Sequence, residues 1–185
     1  MTAAVEGALA GAAIAALAAR ARPRCGATLV VAIDGPSGAG KTTLAQDVVA
    51  LLGCPVVHMD DLYPGWDGLR EGVALLVSEV LEPLAAGRAA RYRVWDWAGR
   101  RRGETRVLET PPVLVIEGCG ASVGEAARYA AVRVWVDAPR EIRRARGLAR
   151  DGEAYRPFWE RWAAQEDALF AADATRARAD LVVST

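Results

Sequence analysis

Eight consecutive residues, Gly35-Pro36-Ser37-Gly38-Ala39-Gly40-Lys41-Thr42, satisfy every fixed position of the pattern G-x-x-x-x-G-K-[ST]. No other stretch limits the fold so sharply, because the pattern works in one setting only, between a buried strand and a helix. The flanks supply that setting. Thr28 to Asp34 is a short apolar, β-branched run, as expected of a strand buried on both faces of a parallel sheet. The glycines then turn the backbone so that its N–H groups point inward as an anion nest. Thr42 to Leu52 follows with helical spacing and stops at Gly53. Strand, loop and helix in that order place a phosphate at a helix N-terminus, where unpaired N–H groups and the helix dipole favour negative charge.

Lys41 is the only lysine, so the other 22 of the 23 basic residues are arginine. A compact, flexible ammonium reaches between phosphate oxygens where arginine's planar fork fits poorly. A coding bias toward arginine accounts for the excess, but not for where the exception falls.

Further strands are expected at 55–59, 112–118, 132–137 and 180–183. Helices are expected over 69–86, from Pro139 to Arg150, and over 155–172. Apolar strands alternating with helices imply an α/β domain with a mostly parallel, five-stranded sheet covered on both sides. Arg91 to Trp97 and Thr105 to Glu109 read as a hairpin whose tip carries Arg100, Arg101 and Arg102. The uncharged stretch 7–19 lacks a basic leader region and is shorter than a membrane span. It reads as an amphipathic helix on the sheet. Formal net charge is zero, which argues against general attraction to nucleic acid or membrane. Cys25, Cys54 and Cys119 are widely spaced, as for reduced thiols in a cytoplasmic protein. A single histidine, His58, makes a zinc site improbable, and it reads as a satisfied core residue. The chain lacks asparagine, so an N-K-x-D guanine-reading motif is impossible.

Phosphoryl transfer needs phosphate cradling, magnesium, an oriented acceptor hydroxyl and positive charge on the moving group. Asp60 and Asp61 lie just past the second strand, where open α/β sheets place ligands. A carboxylate there can take the acceptor's proton or hold the metal's water shell; a turn or cap aspartate is the alternative. Glu117 ends an apolar strand, as expected of a metal-side acid. Arg143, Arg146 and Arg150 share one helical face, either closing over a triphosphate or forming a solvated basic face. Trp95 and Trp97 share a strand face, suited to stacking on a flat or sugar-like substrate. Trp159 and Trp162 read as packing.

Taken together, these segments resemble the uridine kinase and phosphoribulokinase branch of the P-loop kinases, over Thr28 to Val183. The matching pieces are Gly35 to Thr43, Asp60-x-Leu-Tyr63, Trp95-Asp96-Trp97, Val115-Ile116-Glu117-Gly118, the arginine-rich Arg143 to Asp151, and Ala179 to Val183. The resemblance implies a P-loop NTPase fold in a single domain, with an N-terminal helix (1–24), a hairpin insertion near the acceptor (88–110) and an arginine-bearing lid (143–160). It also implies ATP and Mg²⁺, with a small-molecule acceptor and a homodimer left open. ATP would be held by Gly35, Ser37, Gly38, Ala39, Gly40, Lys41, Thr42, Thr43, Arg143 and Arg150. Lys41, Asp60 and Arg146 would be catalytic, with Asp60 as base. The metal would lie by Thr42, Glu117 and Asp60, and the acceptor by Asp61, Tyr63, Trp95 and Asp96. Nucleoside kinases of this branch carry a histidine where Arg100 to Arg102 stand. A nucleotide kinase gripping an acceptor phosphate with those arginines is therefore the second reading, and a non-catalytic ATP-binding module the third.

Overall fold

The computed structural model describes residues 2–152 and 155–185. At its centre is a five-stranded parallel sheet in the order β2-β5-β1-β6-β7. The strands are β1 (Leu29–Asp34), β2 (Val56–His58), β5 (Val113–Glu117), β6 (Ala130–Asp137) and β7 (Leu181–Ser184). This is the P-loop NTPase fold expected from the sequence, and all five strands run parallel. Every residue of β1 is buried, because helices cover both sheet faces.

Alternation along the strands divides the core. Val31, Ile33, Val115 and Val134 face Ile14 of α1 (Thr2–Arg20) and Val48 of α2 (Lys41–Leu52). Val30, Ala32, Leu114 and Ile116 face the opposite layer, with Leu69, Leu76, Val80 and Trp159. The N-terminal stretch is thus a helix packed on the sheet layer, as its sequence suggests.

The helix expected over 69–86 is interrupted. α3 (Leu69–Leu75) widens into a π-helical stretch, Leu76–Leu81, before the α4 turn (Glu82–Ala85). Pro83 explains this: it has no N–H to give, and its ring would strike the carbonyl of Glu79 in a regular α-helix. After the short α5 (Ala126–Tyr129), α6 runs over Arg140–Asp151 and α7 over Trp159–Asp173. The lid segment expected over 143–160 includes Glu153 and Ala154, which lie outside the described residues.

β3 (Ala90–Asp96) and β4 (Arg101–Leu108) form the separate antiparallel hairpin. Its turn is 97–100, so Arg101 and Arg102 lie in the strand and not at the tip. A register shift between Arg93 and Trp95 adds twist at that end.

Asp34, the last residue of β1, carries a structural load that its sequence position did not advertise. Its buried carboxylate accepts hydrogen bonds from the amides of Gly35 (2.8 Å), Gly120 (2.8 Å) and Ser122 (2.7 Å), and from the Ser122 hydroxyl (2.9 Å). It thereby fastens the phosphate-loop entrance to the loop after β5. Burial pushes its pKa up even against these four donors. Asp34→Asn would turn an NH₂ toward donors, and we expect it to cost about 1–3 kcal/mol in urea unfolding. A loss of only a few tenths would show that the anchor is dispensable.

Candidate active site

The loop between β1 and α2 forms the first wall. Gly38 has φ +78°, and a Cβ there would come within 2.2 Å of the Arg143 carbonyl oxygen; both conditions require glycine. Lys41, 7% exposed, donates to the Pro36 carbonyl at 2.9 Å, with the Cys119 sulfur 3.6 Å away. Burial opposes its charge, but the Cys119 sulfur and the carboxylates of Glu166, Glu117 and Asp34 outweigh burial and raise its pKa. An ammonium held so firmly cationic suits the task of meeting phosphate oxygens.

The second wall comes from the carboxyl ends of β2 and β5. Their register pairs His58 with Glu117, and His58 Nδ1 lies 2.7 Å from Glu117 Oε1. His58 is therefore not a core histidine: its side chain is 36% exposed and faces the site. The hydrogen bond to Glu117 raises its pKa. Burial works to raise that of Glu117, yet His58 and Lys41 bring it below the usual value. The Thr42 hydroxyl stands 3.3 Å from both Glu117 oxygens. Among the described residues no group of three or more His, Cys, Asp or Glu could hold a metal unaided. A hydroxyl beside an ionised carboxylate does fit Mg²⁺, which takes hard oxygens and completes its shell with water and substrate phosphates. Gly118 lets this corner close, since a Cβ on it would meet Met59 Cβ at 2.5 Å.

Two cavities meet here. The first, about 280 Å³, is lined by the phosphate loop, Cys119, Arg146 and Arg150. The second, about 600 Å³, has aromatic walls: Tyr63, Trp66, Trp97, Tyr155 and Trp162. Ser37, Thr42, Asp60, Glu117 and Arg150 border both. Trp66 is the centre of the aromatic set, stacked on Phe158 (ring centroids 4.9 Å) and Tyr155 (5.1 Å), and 4.6 Å from Trp97.

The predicted residues thus separate. Lys41, Thr42, Asp60, Glu117, Arg146 and Arg150 converge on the junction or the phosphate cavity, with Ser37, Gly38, Gly40 and Thr43. Arg146 also donates to the Thr185 hydroxyl at 2.8 Å. Gly35 and Ala39 do not border the cavity; Gly35 packs against Val136, and Ala39 is buried. Arg143 does not border it either. Its guanidinium is buried behind the loop, donating to the carbonyls of Ala138 (3.1 Å) and Ser37 (3.4 Å), so it supports the loop from outside. Asp61 borders the second cavity but is paired with Arg106 at 2.5 Å. Burial raises its pKa against that arginine. Tyr63 presents its ring, its hydroxyl being spent on the Cys119 carbonyl (2.7 Å).

Trp95 and Asp96 lie outside the second cavity. Asp96 caps the hairpin turn by accepting from the Gly99 amide at 2.9 Å. Trp95 lines a third, outer cavity with the Arg102 guanidinium 5.6 Å from its ring centroid. Trp97 takes the inner position instead: it lies in the turn beyond β3, where strand alternation no longer applies, and its indole donates to the Asp60 carbonyl at 3.0 Å. Trp162, expected to be packing alone, both packs and lines the second cavity.

Comparison with known proteins places the chain in a family. A family model described as an AAA domain, AAA_18, matches residues 31–167, most of the chain. The chain belongs to that family. A cytidylate kinase of Pseudomonas aeruginosa is 34% identical over 130 residues, 69% of this chain and 57% of that protein. A cytidylate kinase of Methylococcus capsulatus is 33% identical over 134 residues, 66% of this chain and 55% of that protein. The chain thus spans little more than half the length of these curated relatives. The fold of this AAA-domain chain is shared with a solved structure described as a possible uridine kinase from Bacillus stearothermophilus, at a TM-score of 0.70 and 22% identity. That superposition covers 99% of this chain and 100% of the other.

Proposed function

We propose that this chain transfers the γ-phosphoryl group of ATP to a hydroxyl of a flat, unphosphorylated small molecule, a nucleoside or comparable metabolite. The observation that carries the reading is the meeting of a phosphate cavity and an aromatic cavity at Thr42, Asp60, Glu117 and Arg150. Donor phosphate on one side and acceptor on the other would bring their reacting atoms together at that rim.

In the reaction, the Asp60 carboxylate takes the acceptor's hydroxyl proton as the oxygen bonds to the γ-phosphorus and the bond to the β-phosphate oxygen breaks, releasing ADP. Lys41, Arg146 and Arg150 balance charge on the moving phosphoryl group. Thr42 and Glu117 would hold Mg²⁺, which when bound would supply positive charge against the phosphates.

The choice of an unphosphorylated acceptor rests on where the arginines go. Among the described residues Arg150 is the one arginine bordering the aromatic cavity, and it also borders the phosphate side. Three hairpin guanidiniums near the site are engaged elsewhere: Arg102 with the carbonyls of Leu62 and Arg93, Arg106 with Asp61, Arg101 with Asp96. Arg100 faces the outer cavity. An acceptor phosphate would instead meet Asp60, Asp61 and Glu117, which repel it. The cytidylate kinase relatives favour a nucleoside monophosphate as acceptor, so the two readings divide cleanly.

ADP release measured with nucleosides and their 5′-monophosphates decides between them. We expect kcat/KM at least ~10-fold higher for the unphosphorylated member of a pair, the repulsion costing on the order of one power of ten or more. Preference for the monophosphate would overturn the acceptor assignment, and absence of turnover with any acceptor would favour a nucleotide-binding module. Among the described residues no helix is long and apolar enough to cross a membrane, and all three cysteines are free.

A further inference from the structure

A carboxylate that belongs to neither cavity wall lies at the centre of the site. Glu166, on α7, is 1% exposed, and burying a carboxylate is costly unless it is well partnered. Its Oε1 accepts three hydrogen bonds: from the Ser37 amide at 2.8 Å, the Trp162 indole at 2.7 Å and the Cys119 thiol at 3.0 Å. The donors have separate origins. Ser37 is in the phosphate loop, Trp162 lines the aromatic cavity, and Cys119 lies two residues past Glu117 on the phosphate side. Burial beside Glu166 raises the Cys119 pKa well above normal, so the thiol keeps its proton and serves as a donor. The other oxygen, Oε2, has no hydrogen-bond partner and stands 3.9 Å from the Arg143 guanidinium. Arg143 in turn donates to the Ser37 carbonyl. Ser37 is thus held at its amide by Glu166 and at its carbonyl by Arg143.

We infer that Glu166 is a positioning residue, whose single oxygen fixes the Ser37 end of the phosphate loop to the aromatic wall and so presets the loop for nucleotide. A nucleotide then meets a cradle already formed, and less of its binding free energy goes to ordering the loop. The same oxygen ties Trp162 to that cradle, so a change in the aromatic wall is transmitted to the loop through one atom. The effect on nucleotide affinity rests on the phosphotransferase reading; the bracing of the loop does not.

Two measurements on the full chain separate these. The first is backbone hydrogen exchange of the Ser37 to Lys41 segment without nucleotide, and the second is the Kd for MgATP. Val80→Ala, in the core away from both cavities, serves as a control for general destabilisation. We expect Glu166→Ala to accelerate exchange of the segment and weaken MgATP by at least ~10-fold each, beyond Val80→Ala. Glu166→Gln keeps an acceptor oxygen in place, and both quantities should stay within ~3-fold of wild type. Equal effects of Glu166→Ala and Val80→Ala at matched stability would overturn the inference and leave Glu166 a packing residue. Should Glu166→Ala not fold, Glu166→Asp decides: its shorter side chain loses reach to Ser37 and should exchange faster than Glu166→Gln, and equality would overturn the brace. A wild-type chain that binds no MgATP would defeat the phosphotransferase reading while exchange still tests the brace.

Discussion

Lys41→Met is expected to abolish the proposed phosphoryl transfer, lowering kcat/KM by at least ~10³-fold, while the protein stays folded. Methionine replaces most of the apolar stem, so the packing in which Lys41 is buried survives. What disappears is the ammonium and its donation to the Pro36 carbonyl, about 1 kcal/mol of stability by itself. The expected loss in transfer is far larger, because no other lysine exists in this chain. Arg146 and Arg150 reach the phosphate cavity from the far side and cannot take its place within the loop. The check is a coupled assay for ADP release alongside a thermal unfolding scan. A variant that retains turnover would remove this loop from the chemistry.

Asp60→Asn has a different signature. The amide is nearly isosteric with the carboxylate and keeps Asp60's backbone carbonyl for Trp97, but it cannot accept the acceptor's proton. We expect kcat to fall by at least ~10²-fold with MgATP affinity retained. Steady-state kinetics together with a direct binding measurement separate these two effects. An unchanged kcat would move the base to another carboxylate on the rim. Asp61 is then the first to test, although its pairing with Arg106 at 2.5 Å leaves it poorly placed to receive a proton.

Much of this architecture could be read from the chain because its signals are local. Apolar β-branched runs placed all five parallel strands, and the phosphate-loop pattern fixed how β1 passes into α2. Placement beside the cavities was legible where it follows from a position at a strand end, as with Glu117 and the Asp60–Asp61 pair. Direction and distant partners were not legible. Same-face spacing joined Arg143 to Arg146 and Arg150, but Arg143's partners, Ala138 and Ser37, arise from how α6 packs on the loop. Strand alternation grouped Trp95 with Trp97, but β3 ends at Asp96 and the turn separates the two rings. Glu166 did leave a trace. It follows Trp159, Trp162 and Ala163 at seven, four and three residues and precedes Leu169 by three, on the stripe that α7 buries. A charged residue on a buried stripe is an unusual placement that points to an internal partner.

The order of strands across the sheet bears on how this protein emerges from the ribosome. Leu29 of β1 pairs with Val113, and Val30 with Ala130, so the strand that launches the phosphate loop has no neighbour until synthesis has passed β5, and only one until it has passed β6. Until then a largely apolar ribbon waits without its partner strands, which favours slow, late assembly and exposes the nascent chain to self-association. Nucleotide in the cell could stabilise this protein only after that closure, and shielding by chaperones would matter most before it.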